Sequence, residues 1–144
     1  MKGMTIIVKT IARLLVGLIV LYGLYIVLHG HLTPGGGFAG GVILAAAFVL
    51  LLLAYGSEIA FRKMSEPLDH TLESLGGLAF LVIVLLGFAG GYAFFNFLSK
   101  GEPFALFSGG IIPLCNIAIG VKVGAGLFAI FLALVLGSPK RRKE

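Results

Sequence analysis

Four apolar runs, each long enough to cross a lipid bilayer, leave this 144-residue chain almost no choice of fold class. They are Ile11 to Leu28, Gly36 to Tyr55, Leu75 to Leu98 and Ile111 to Leu136. About 20 mostly apolar residues of helix cover a hydrocarbon core of roughly 30 Å. Hydrophobic residues make up 59% of the chain, charged residues 12%, and the mean hydropathy of +1.11 lies far outside the range of soluble domains. The expectation is an all-α, polytopic membrane protein of the cell membrane, one membrane domain over residues 1–144 with four transmembrane helices.

The net charge of +5 raises the question of nucleic acid, and its distribution answers it. Lys2, Lys9 and Arg13 flank the first run, Arg62 and Lys63 lie between the second and third, and Lys140 to Lys143 follow the fourth. The loop after the first run has no Lys or Arg, and the loop after the third has only Lys100. Alternate loops are therefore basic, and the positive-inside rule puts both termini and the central loop in the cytoplasm. No small-residue cleavage site follows the first run, which reads as a retained signal anchor. The single cysteine, Cys115, excludes an internal disulfide.

Between the first two runs lies the densest motif, His29-Gly30-His31-Leu32-Thr33-Pro34-Gly35-Gly36-Gly37-Phe38-Ala39-Gly40-Gly41. Thr33 and Pro34 are expected as N-cap and first residue of the second helix. The five glycines that follow would cost about 5 kcal/mol on soluble scales if wholly helical. They admit three explanations: close packing of another helix through the pairs Gly36/Gly40 and Gly37/Gly41, an irregular first turn offering backbone groups to an ion, or a hinge. The letters Gly-Phe-Ala-Gly-Gly recur at Gly87 to Gly91, on the same side of the membrane in this topology, so the two copies are candidates to pack on each other.

Polar residues inside or at the ends of the runs are the other candidates. Tyr22, Tyr25 and His29 share one helix stripe, either an aromatic belt or a polar face toward a neighbour; histidine changes charge near neutral pH and suits a proton relay. His29 and His31 bring no third ligand with them, which argues against a metal site. Glu58, Arg62 and Glu66 are four apart and would pair along a short interfacial helix ended by Pro67. Glu73 is either a helix N-terminal charge or the point where a cation enters. The end of the third run, Tyr92 to Phe97, reads as an aromatic girdle.

Lys122 is the most expensive residue, roughly 16 Å from the outer end of its span. In lipid it would cost at least about 3 kcal/mol. Cys115, Ala118, Ala125, Gly126 and Ala129 surround it on its helix face with small side chains, and Asn116 points elsewhere. With no acid expected at its depth, its partner is expected to be a carboxylate of another subunit or a hydrated cavity, with intersubunit pairing and ion or proton conduction as the two possible roles.

From His31 through Gly41, and on through Val42-Ile43-Leu44-Ala45-Ala46-Ala47-Phe48, the sequence resembles the MrpB/MnhB subunit family of Mrp-type multisubunit sodium/proton antiporters, which has relatives in archaeal energy-converting membrane-bound hydrogenases. The resemblance implies a small membrane subunit of a large complex, helping form a path for Na+ or H+ beside other membrane subunits. One departure stands out: where many antiporter members carry Asp-Ile-Gly-Val, this chain has Asn116-Ile117 and then Gly120-Val121-Lys122, a pattern closer to the hydrogenase-linked branch. No nucleophile–base pair, phosphate loop or iron–sulfur cysteine cluster is present, so no catalytic centre and no bound cofactor are expected in this chain; any enzymatic role would be as a non-catalytic subunit of a redox-driven pump.

Overall fold

The computed structural model describes residues 3–56, 66–92, 94–102, 105 and 108–136. Four helices carry the described chain: α1 (Ile6–Leu28), α2 (Gly36–Tyr55), α3 (Glu66–Ala89) and α4 (Ile112–Leu136). All four are long and apolar enough to cross a membrane. The basic residues at 2, 62, 63 and 140–143, and the expected Glu58/Arg62/Glu66 ladder, lie outside what is described.

Local chemistry sets the ends. Thr5 adopts an extended conformation before α1, and its carbonyl accepts from Lys9 N–H at 3.1 Å. The helix thus begins before Ile11, and Lys9 and Arg13 sit in its first turns, where long basic stems can reach back toward water. α2 closes at Gly56, whose N–H donates to Leu52 O at 2.9 Å.

α3 departs most from expectation. It starts at Glu66, with Pro67 inside its first turn, the one helical place where a missing N–H costs nothing. It stops at Ala89 rather than Leu98. Gly91, at φ 100°, adopts a left-handed backbone that L side chains rarely adopt, and the following aromatics fold back over the helix end. Phe94 lies 5.9 Å from Phe80, ring to ring, and a Cβ on Gly87 would sit 2.8 Å from Phe94 N. The expected girdle is therefore a cap on α3, not its last turns.

The helices stand as a row, α1 against α2, α2 against α4 and α4 against α3, with lighter contact between α1 and α4. The best-buried apolar cluster is Leu52, Phe128 and Leu132, wrapped by Phe48, Val49, Phe131 and Val135 between α2 and α4. It lies toward the end that carries the chain termini. At the other end α2 and α4 meet through glycines, which lets the two axes converge.

Small residues on α2 make both of its contacts. A Cβ on Gly40 would strike Val27 of α1, and one on Gly41 would lie 2.8 Å from the Gly120 carbonyl oxygen of α4. The two Gly-Phe-Ala-Gly-Gly copies do not pack on each other, contrary to expectation. α4 stands between α2 and α3, and the second copy is covered by its own following aromatics: Gly90 lies under the Phe95 ring.

Candidate functional site

Glu73 sits two turns into α3, about 10 Å along the helix at 1.5 Å per residue. Lys122 is ten residues into α4, or about 15 Å from that helix's start. Its ammonium lies 3.7 Å from Glu73 Oε1. The expectation of an intersubunit partner is corrected here: the carboxylate belongs to the same chain. The depth estimate failed because α3 begins nine residues earlier than the apolar run, which carries Glu73 well into the helix.

Three glycines build the seat. A Cβ on Gly76 would lie 2.8 Å from Lys122 N and 2.9 Å from Ala118 O, so α3 approaches the α4 backbone directly at this level. A Cβ on Gly77 would be 3.4 Å from Lys122 Nζ, and one on Gly126 3.6 Å from Glu73 Oε1. The charged groups thus occupy a notch between two helices.

The pair is far from buried within the chain: 52% of the Lys122 side chain and 39% of Glu73 remain exposed. At 3.7 Å the contact is an ion pair without a direct hydrogen bond. Such a pair left facing lipid would carry a cost of about 3 kcal/mol or more for the ammonium alone, reduced by the attraction of the carboxylate. Glu73 also has three possible neutralisers by charge: the tethered ammonium, an incoming monovalent cation or a proton.

A second polar group lies at the opposite flank of α4. Asn116, 9% exposed, accepts from the Gly37 N–H through Oδ1 at 3.3 Å. It thereby supplies the cap for the start of α2, satisfying one of the amides that a helix N-terminus leaves open. Thr33 does not: its hydroxyl and its N–H both donate to the His29 carbonyl, at 3.0 and 2.9 Å, and close the end of α1 instead. The N-cap position is Gly35, whose φ of 113° explains why glycine stands there, with Pro34 one residue before it. Gly37 packs against the Asn116 carbonyl, Gly36 against its side chain, and Phe38 points away from the bundle.

The histidines serve different places. His29 stacks on Tyr25 at 4.1 Å, and its Nδ1 lies 3.1 Å from the Tyr25 carbonyl oxygen; Tyr25 in turn stacks with Tyr22 at 6.5 Å. This ladder runs up an exposed face of α1. His31 turns across the bundle, its Nε2 3.2 Å from the Ala105 carbonyl oxygen, and so links the α1–α2 loop to the α3–α4 loop. Among the described residues no three His, Cys, Asp or Glu side chains converge on a common point.

The structure therefore unites Glu73 with Lys122 and Asn116 with the glycine motif, and leaves the side chains of Tyr25, His29 and His31 apart from both. Three contributors were not singled out beforehand. Asn96 Oδ1 accepts from Ile111 N–H at 3.2 Å just before α4 begins. Gly76 and Gly77 were visible only as neighbours of Glu73, and a small-residue pair facing the small side chains around Lys122 was the available signal.

A bundle of four membrane-spanning helices with a lysine–glutamate pair held between two of them defines a multi-pass membrane protein with charge inside its span. Residues 7–129 match the family model for the domain related to the MnhB subunit of Na+/H+ antiporters, and the chain belongs to that family. It is 43% identical over 130 residues to the uncharacterized protein MJ1307 of Methanocaldococcus jannaschii, covering 85% of this chain and 49% of that one. It is 35% identical over 92 residues to a protein of Staphylococcus saprophyticus named for an antiporter subunit, mnhB2, covering 62% of this chain and 64% of that one. Among solved structures it resembles a chain of the membrane-bound sulfane sulfur reductase, an archaeal respiratory membrane complex, with a TM-score of 0.76 and 38% identity over 88% of this chain and 56% of that one. The chain spans between about half and two thirds of the length of these relatives.

Proposed function

We propose that this chain is a non-catalytic cell-membrane subunit of a multisubunit cation/proton antiporter module, and that its Glu73–Lys122 pair borders a path for Na+ or H+. The observation that carries the reading is the pair itself, partly exposed between two helices apolar enough to cross a membrane, where lipid would penalise it. Membership of the MnhB family and likeness to a chain of a respiratory membrane complex support a place among other membrane subunits, in an antiporter or a redox-driven host such as a hydrogenase. The charge pattern of the sequence supports cytoplasmic termini.

The chemistry follows from exchange at one carboxylate. With no ion near, Lys122 neutralises Glu73. A sodium ion or proton arriving at Glu73 releases the ammonium, and departure of that ion lets the ammonium return. A tethered cation of this kind keeps the carboxylate from standing uncompensated in a low-dielectric region at any stage. The glycine motif supports this path indirectly, by letting α2 hold α4 at close range.

A purely structural role is the second reading, favoured by the packing of every glycine from Gly36 to Gly41 that the motif supplies. The two readings separate in complexes purified with Glu73→Gln or Lys122→Met and reconstituted in vesicles. Loss of sodium or proton transport with normal subunit stoichiometry supports the path. Normal transport in both variants rejects it.

A further inference from the structure

We infer that the α3–α4 seam at Glu73 and Lys122 is the docking surface for a transmembrane helix of a different subunit, one that presents an uncharged hydrogen-bonding side chain, an amide or hydroxyl, to the pair. The inference rests on the proposal that the chain works inside a multisubunit membrane complex.

One observation and two general properties of membrane interiors carry it. The pair is net neutral, yet within the described chain neither member has a hydrogen bond: the ammonium keeps its donors and the carboxylate its acceptors. A permanent second charge would leave the resting pair with a net charge inside the membrane, whereas a group that both donates and accepts completes the resting pair without one. Polar side chains of this type join helices within membranes.

The shape of the seam agrees. Gly77 lies beside the ammonium and Gly126 beside the carboxylate, and both charged side chains stay partly exposed at the seam. Eight residues along from Glu73 is Leu81, and eight along from Lys122 is Ile130, both exposed. Because α3 and α4 run in opposite directions, these apolar residues lie on either side of the polar notch along the membrane normal. Exposed apolar side chains above and below a single polar notch match a helix that carries one polar side chain.

The test uses the complex in its native membranes. A benzophenone amino acid replaces exposed Ser74, next to Glu73 on α3, and the irradiated adducts are identified by mass. The expected result is an adduct with another membrane subunit, lost when Lys122→Met or Gly77→Leu is added. Adducts with lipid alone, with a second copy of this chain, or with none and ready labelling of Ser74→Cys by a membrane-impermeant maleimide each overturn the docking surface. The outcomes stay separate from the transport reading: adducts with unchanged transport in Glu73→Gln keep the interface and reject the path, and lost transport without adducts does the reverse.

Discussion

Replacing Gly37 by alanine should weaken the bundle even though alanine is the better helix former. Its Cβ would land on the Asn116 carbonyl, a backbone atom that cannot rotate aside. Overpacking against fixed backbone costs about 1–3 kcal/mol. Moving α2 away to relieve it lengthens the 3.3 Å bond from Gly37 N–H to Asn116 Oδ1, a capping contact of a kind that contributes about 0.5–2 kcal/mol. The helix-propensity gain is at most about 1 kcal/mol and smaller in a first turn, so the net is a loss of about 2 kcal/mol. Gly17→Ala in α1 is the matched control, because its Cβ would meet nothing within 4 Å. Only the propensity gain applies there, and stability should hold or rise. Cys115, the sole cysteine, is partly buried on α4, so the rise in its labelling by a fluorogenic maleimide during heating in detergent reports the unfolding of the bundle. Gly37→Ala should label several degrees below the parent and Gly17→Ala at or above it. Equal midpoints for the two variants would refute the claim that the motif exists for close packing.

Two substitutions probe the caps. Asn116→Ala removes the acceptor for Gly37 N–H and should destabilise by about 1–2 kcal/mol, while Asn116→Asp keeps an acceptor and places negative charge at a helix N-terminus, so its labelling midpoint should stay near the parent's. Thr33→Val keeps shape but loses the hydroxyl bond to His29 O, and should cost about 1 kcal/mol and raise hydrogen exchange at the end of α1 without moving α2.

The number of helices was legible because lipid imposes one strong rule on apolar length, and α2 in particular is bounded by glycines on both sides. The ends of α3 were not. Pro67 reads equally as a terminator or a first-turn residue, and Gly90-Gly91 equally as a packing pair or a break; only the contacts of Phe94 and Phe95 decide. That misreading propagated to the site, since a start at Leu75 put Glu73 at the membrane surface and left Lys122 without a partner. The glycine spacing correctly indicated close approach, yet periodicity names a face and not the neighbour across it, so the second Gly-Phe-Ala-Gly-Gly was assigned a role that α4 holds. Thr33 failed for a related reason: a hydroxyl between two helices can close the first or open the second, and the chain uses it for the first.

The claim that Glu73 trades its lysine for a transported ion is tested most directly by difference infrared spectroscopy of the purified complex, stepping sodium at fixed pH and then pH at fixed sodium. A carboxylate band that shifts in one of these steps, and that is absent from Glu73→Gln, is the predicted result. Spectra of the parent and Glu73→Gln that are the same in both steps would contradict it.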